Sequence, residues 1–293
     1  MARATVPTIP NTSTPEEVHV QLKETGCCIV ENLVPKPHME WMLEEFDPWF
    51  DRIPSGSDVY TGFKTQRFSA LVAKSKAYGE LVMNPTMVET ANRILGDRCD
   101  HIQLGCSHGV RIGPGEAAQW LHRDDNPYAI GTKTYPKDGE ELIFNMFWAV
   151  TEYTATNGAT QVVPYSHLWN AEREATEEEI AISVMPQGSV MCYLGSTLHG
   201  GGANTTKDEY RVGVLVEYAL GWLRQEENMY LVVPPEIAKT LPEDLARMIG
   251  YSIQEPYLGW VEMNDPSIVL KTDDIQALGA QALYSEHDTS GIS

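Results

Sequence analysis

From about residue 100 the chain breaks into short apolar segments separated by turn signals, and this rhythm limits the fold more than any other feature. The segments are Gly109–Ile112, Glu141–Val150, Ala159–Val163, Gly188–Leu194 and Arg211–Leu220. Between them stand Gly113-Pro114-Gly115, Thr156-Asn157-Gly158 and Gly200-Gly201-Gly202. Short strands punctuated in this way build a β-sandwich or barrel.

The first hundred residues have a different texture. Thr14-Pro15-Glu16-Glu17 reads as a helix start, with Thr14 as cap, Pro15 in the first turn and Glu17 closing a capping box. Gly26 ends that helix, and Cys27–Val30 is a short strand. Further helices are expected over about His38–Phe46, stopped ahead of Pro48, and over Ser75–Val82 and Pro85–Leu95, the last closed by Gly96. A late helix spans Pro242–Ile249 and stops at Gly250. No repeat or mid-chain linker divides the chain. The expectation is one domain over 13–280, with a helical layer at 13–98, a β-barrel core at 99–222 and a helical or lid segment at 223–280. A flexible arm (1–12) and a flexible tail (281–293) flank it. The fold class is mainly β with flanking helices.

Charge narrows the partners. Lys and Arg number 21 against 41 Asp and Glu, a net charge of −20. Such a surface repels phosphate backbones, so no nucleic-acid partner is expected. No run of about 18 apolar residues suggests a membrane span, and the N-terminus lacks the apolar stretch of a secretion signal. The 5 cysteines are odd in number and show no CxxC spacing, which favours a reducing compartment such as the cytoplasm. A small-molecule substrate is expected, and self-association as a homodimer is left open.

The chemistry concentrates in three places. In Gln119-Trp120-Leu121-His122-Arg123-Asp124, an extended backbone turns His122 and Asp124 to one side, about 7 Å apart. His199 opens a glycine run 77 residues later. Arg211 follows 12 residues on, heading an apolar strand where an unpaired charge would be costly. A carboxylate held bidentately would satisfy it. Two histidines and one carboxylate describe the facial triad of non-haem Fe(II) oxygenases, whose vacant positions admit a 2-oxo acid and O2. His19, His38 and His287 carry no comparable pattern. His167 is expected to fix a turn; His101 and His108 flank the strand before the site and are expected to be structural, with a substrate-side role as the alternative.

With these residues in place, the chain resembles the phytanoyl-CoA dioxygenase family of Fe(II)/2-oxoglutarate oxygenases, in the branch with fungal meroterpenoid and alkaloid enzymes. The resemblance rests on Val110-Arg111-Ile112-Gly113-Pro114-Gly115-Glu116, the segment Gln119–Asp124, Asn157-Gly158-Ala159-Thr160-Gln161-Val162-Val163-Pro164-Tyr165-Ser166-His167, Gly188-Ser189-Val190, Leu198-His199-Gly200-Gly201 and Arg211-Val212-Gly213. It implies a double-stranded β-helix, the cupin-like jelly roll. It also implies iron on His122, Asp124 and His199, and 2-oxoglutarate on Arg211, Thr160 and Gln119, with O2 as the other co-substrate. Tyr165 and Ser189 depart from the usual Gly and Asp, away from the ligand set. Asp124 excludes the halogenase variant, which lacks this carboxylate.

At the substrate end, strand parity with Arg211 turns Gly213, Leu215 and Glu217 to the interior. Asn145 breaks an otherwise apolar strand and should face a lumen or polar partner, with Ile143 on the same face. Tyr60 and Phe63 belong to an expected lid over Asp51–Phe68, joined by the region around Trp222; Asn126 and Tyr128 are the alternative pocket residues. These aromatics, and the absence of a basic cluster for coenzyme A, favour a bulky, mainly apolar natural product. The expected activity is oxidation of such a terpenoid, meroterpenoid or alkaloid. A barrel that binds metal without turnover, or a hydroxylase of an acyl-CoA or other small metabolite, is the alternative.

Overall fold

The computed structural model describes residues 3–129 and 140–272. Among these, the strands are β1 (Thr8–Pro10), β2 (Cys27–Glu31), β3 (Thr65–Phe68), β4 (Ile102–Ile112), β5 (Ile143–Ala149), β6 (Gln161–Val162), β7 (Ala181–Ile182), β8 (Val190–Leu194), β9 (His199–Gly200) and β10 (Arg211–Leu220). They form a seven-stranded sheet in the order β1-β2-β8-β5-β10-β4-β3 and a three-stranded sheet in the order β7-β6-β9. Neighbouring strands run antiparallel except for the parallel pair β1–β2. This is a jelly-roll arrangement.

The larger sheet has apolar side chains on both faces, so its strands read as near-continuous hydrophobic runs. On β10, Val212, Val214, Val216, Tyr218 and Leu220 join a core shared with the helices α1 (Pro15–Thr25), α2 (Lys36–Phe50), α3 (Leu71–Lys74), α4 (Lys76–Val82) and α5 (Pro85–Leu95). On the other face, Ile29, Met191, Tyr193 and Leu215 meet Val162 and Ala181 of the smaller sheet. That inter-sheet space holds the site.

The expected local signals form as read. Thr14 Oγ1 accepts from the Glu17 N–H at 3.3 Å, while Glu17 Oε2 accepts from the Thr14 N–H at 2.8 Å. Gly26 ends α1 at φ 79°, and Gly250 follows the helix Glu243–Met248 at φ 110°. Two expectations fail. α2 begins at Lys36 and runs through Pro48 to Phe50. Although Pro48 removes a helical hydrogen bond, Phe46 and Phe50 stay buried, packing edge-on against Phe68 with both ring centroids at 5.0 Å, and that burial outweighs the break. Gly96 caps the C-terminus of α5 as expected, though with a right-handed φ of −63°, and leads into a short 3-10 turn, Gly96–Arg98. Residues 3–12 are no loose arm: β1 pairs with β2, and the Ala4 N–H donates to Glu178 O at 2.8 Å.

β4 is also longer than its apolar part. Its polar residues are absorbed: Gln103 Nε2 donates to Leu220 O at 3.0 Å, and Ser107 Oγ to Glu227 Oε2 at 2.6 Å. No helix among the described residues is long and apolar enough to cross a membrane. The expected tail at 281–293 lies outside the described residues.

Candidate metal centre and cavity

His122 and His199, distant in sequence, face each other across an isolated antiparallel bridge. The His122 N–H donates to His199 O at 2.9 Å, and the His199 N–H returns to His122 O at 3.0 Å. Asp124 sits in the turn that follows rather than on a strand, its N–H on Gly195 O at 3.1 Å. The period-two argument thus selected the right neighbours through a geometry only partly realised. Arg123 points away and bonds Ser196 O and Ser166 O at 2.7 and 2.8 Å, tying down the loop between the two flanking side chains.

The three side chains converge. His122 Nε2 lies 3.5 Å from Asp124 Oδ1, and His199 Nε2 lies 3.3 Å from Asp124 Oδ2. Each imidazole uses its other nitrogen on a backbone carbonyl: Nδ1 of His122 on Trp120 O and Nδ1 of His199 on Thr197 O, both at 3.1 Å. With Nδ1 held as the donor, Nε2 is the nitrogen that would give up its proton to a metal and offer the lone pair a ligand requires. Asp124 Oδ2 also accepts from Asn145 Nδ2 at 2.9 Å and from the Tyr193 hydroxyl at 3.1 Å. Burial alone would raise the Asp124 pKa, but His199 and His122 outweigh it and hold the carboxyl well below its usual range. A pair of imidazole nitrogens and an ionised carboxylate, oriented by a second layer of hydrogen bonds, fit a divalent transition metal.

Arg211 lines the same cavity, 1% exposed. Its Nε and Nη2 donate to Gly158 O, and Nη1 donates to the Tyr153 hydroxyl at 3.1 Å. Gly213 makes this possible, since a Cβ there would collide with that hydroxyl. Among the described residues no carboxylate lies within salt-bridge distance of Arg211. Thr160 lines the cavity as well. So does Gln119, whose amide joins two segments: Nε2 donates to Tyr60 O and Oε1 accepts from the Gly201 N–H, both at 3.0 Å.

Of the expected substrate residues, the structure brings two to the cavity and turns two away. Glu217 and Tyr60 line it, Tyr60 with its ring 5.5 Å from that of His122. Asn145 is fully buried and committed to Asp124, because the polar partner it needs is the carboxylate next to it. Ile143 is fully buried against Gly195, whose missing side chain it replaces. Trp222 lines a separate, adjoining cavity and donates to Arg98 O at 2.8 Å. His167 contacts Lys23 O at 3.2 Å and packs under Gly26, a turn-fixing role.

Sequence reading missed Arg67, Tyr193 and Glu226, and gave His108 a cavity-side place only as an alternative. Arg67 reaches the cavity from β3, which is too short to have shown a periodicity. His108 lines it too, bonded to Ser69 Oγ at 2.8 Å; burial first, and Arg67 second, push its pKa down to about 4. Tyr193 could have been found as the polar-tipped aromatic on an all-buried strand.

Comparison with known proteins agrees with this geometry. The model of the phytanoyl-CoA dioxygenase family matches residues 22–213. The chain belongs to this family. It is 30% identical over 277 residues to the dioxygenase swnH2 of Arthroderma benhamiae, covering 88% of each chain. It is 29% identical to the multifunctional dioxygenase ausE of Penicillium brasilianum, over 83% of this chain and 84% of that one. Among solved structures, the non-heme alpha ketoglutarate dependent carbocyclase SnoK from nogalamycin biosynthesis superposes with a TM-score of 0.57 at 18% identity, covering 74% of this chain and 90% of that chain. HygX from Streptomyces hygroscopicus, with nickel and 2-oxoglutarate bound, gives 0.56 at 15% identity, over 74% and 91%. At such identities the structural likeness establishes the jelly-roll fold and nothing finer.

Proposed function

We propose that the chain is a non-haem iron dioxygenase that uses 2-oxoglutarate and O2 to oxidise a natural product. His122, Asp124 and His199 would hold the iron, and Arg211 with Thr160 the far carboxylate of the co-acid. The observation that carries this reading is the pairing, in one cavity, of a three-ligand cluster with a buried guanidinium that has no carboxylate of its own. Iron bound there supplies open positions at which a 2-oxo acid and O2 can meet. The remaining work belongs to the chain. Asn145 and Tyr193 orient Asp124, the backbone carbonyls of Trp120 and Thr197 fix the imidazoles, and Gln119 fastens the Tyr60 segment over the opening.

A natural-product substrate is supported by the fungal dioxygenase relatives and by the likeness to an enzyme of nogalamycin biosynthesis. All five cysteines are free, which fits the reducing conditions of a cytoplasm. The direct test is anaerobic titration with Fe(II) and 2-oxoglutarate, followed by admission of O2 and measurement of succinate. One iron per chain and succinate release are expected. Asp124→Ala should lose iron binding and turnover by about a thousandfold or more, since two imidazoles alone bind divalent iron weakly. Undiminished iron-bound turnover in Asp124→Ala would refute the ligand assignment, and wild-type protein that binds iron and 2-oxoglutarate without forming succinate would be a binding protein instead.

A further inference from the structure

The cavity holds a second cluster that neither iron nor 2-oxoglutarate binding uses. Glu217 on β10, Cys106 on β4 and Glu226, beyond the end of β10, bring two carboxylate oxygens and a thiol sulfur within 4.8 Å of one another. Glu217 is 1% exposed. Its Oε2 accepts from Cys106 Sγ at 3.7 Å, and its Oε1 has no hydrogen-bond partner. Asn145, opposite Glu217 in the β5–β10 register, leaves its buried Oδ1 without a partner as well. Among the described residues no Lys, Arg or His lies within 4.0 Å of either glutamate.

The fold makes room for this arrangement. The β4–β10 register slips after Glu217, with Gly105 as the extra residue, and a Cβ at Gly105 would collide with Glu217 Oε1. Bulges beside active sites commonly re-aim a side chain in this way. Glu226 lines both the iron cavity and the adjoining one formed with Gln103, Trp222 and Tyr230, so a ligand at the acid pair has space on either side.

Charge is therefore sorted within one cavity. Arg211 and Arg67 stand at one end, near Gly158 and β3, and Glu217 and Glu226 at the other. The cationic end suits a dianionic co-acid. The acidic end lacks its counterpart: a group that is positive and rich in N–H donors, to neutralise the pair and satisfy the under-bonded Glu217 carboxylate. Resting on the dioxygenase reading above, we propose that the substrate carries a basic nitrogen, protonated at neutral pH, and that this ammonium sits between Glu217 and Glu226. A second metal ion suits the cluster less well, because Cys106 spends its proton as a donor to Glu217 and offers no thiolate.

The test uses the full chain loaded with Fe(II) and 2-oxoglutarate in the absence of O2, and calorimetry with two probes of equal size. N-benzylpiperidine is cationic at neutral pH; N-benzoylpiperidine, its amide, is not. The amine should bind about tenfold more tightly or better, and Glu217→Gln and Glu226→Gln should each remove most of that preference. Equal affinities, amine binding that is absent at millimolar concentration, or a preference that survives both substitutions would overturn the proposal. So would a second equivalent of divalent metal bound by the wild type and lost in Glu217→Gln. Because the wild-type comparison needs no variant, a folding defect in either Gln form leaves the test intact. Protein that binds neither iron nor 2-oxoglutarate would defeat the dioxygenase reading itself; protein that binds both and ignores the amine defeats only this inference.

Discussion

The two ends of β10 carry opposite charges under equal burial, and the protein treats them differently. Arg211 is held in place, with a carbonyl on one side of its guanidinium and a tyrosine hydroxyl on the other, and lacks only a carboxylate. Glu217 is supplied with a weak thiol donor and nothing else. Burial pulls the Arg211 pKa down, and Tyr153 opposes the shift. Burial pushes the Glu217 carboxyl well above its usual range, and the neighbouring Glu226 and Asp124 push the same way. On the proposed reading, the first end is preorganised for a ligand that is always the same. The second is left under-satisfied, a cost that a variable ligand can relieve.

Four substitutions can break or sharpen this contrast. The largest effect is expected from Arg211→Ala, which strands the far carboxylate of the co-acid in a poorly solvated pocket. A rise in the 2-oxoglutarate KM of about thirtyfold or more, equivalent to about 2–5 kcal/mol, should appear with iron affinity largely retained. An unchanged KM would place the anchor elsewhere.

Next come Asn145→Ala and Tyr193→Phe, which remove hydrogen bonds to Asp124. Loss of such outer partners usually weakens metal binding by about 10–100-fold, so competition with a chelator should show that loss while the 2-oxoglutarate KM moves little. Equal weakening of both would mean the whole cavity had rearranged.

The smallest effect, and the one of opposite sign, belongs to Glu217→Gln. Because the folded-state pKa of Glu217 is raised, the native state holds its proton more tightly than the unfolded chain does. Its contribution to stability is therefore fully present below the unfolded value of about 4.3 and is lost as pH rises through the folded value. Gln does not titrate. The variant should melt higher than wild type at pH about 8, by up to several degrees for about 1–3 kcal/mol of relieved desolvation, with the difference shrinking toward pH about 4. A variant that melts lower at both pH values would show that Glu217 is a structural partner rather than an under-satisfied acid.

Much of the His122–Asp124–His199 cluster and its neighbouring arginine was legible in the sequence because it depends on residue types rare in apolar strands. His122, Asp124, His199 and Arg211 each stand out against their neighbours, and their separation matters little once β9 and the His122 bridge bring them together. Parity along β10 also carried Glu217 to the right face, since the bulge at this point lies in β4 and β10 itself is regular. Asn145 shows where such reasoning stops. Its strand position said that it faced something polar, but only the fold could say that the partner was Asp124 and not a substrate. Arg67 and Glu226 lie on a four-residue strand and an irregular segment, where no periodicity marks which way a side chain points. Pro48 misled for a different reason: a local rule for ending helices was overridden by two phenylalanines in the core.

Because one uninterrupted strand bears both charges, β10 also works as a ruler. Six residues of extended chain set Arg211 and Glu217 about 20 Å apart along the backbone, on one face. Their spacing is as rigid as the sheet, which holds β10 between β4 and β5. A point change at Glu217 could redirect the enzyme to a different class of substrate without disturbing the co-acid, whereas inserting or deleting one residue between them would throw the two charges onto opposite faces of the sheet. Substrate choice in such a chain can drift by substitution, but its length across this strand is locked.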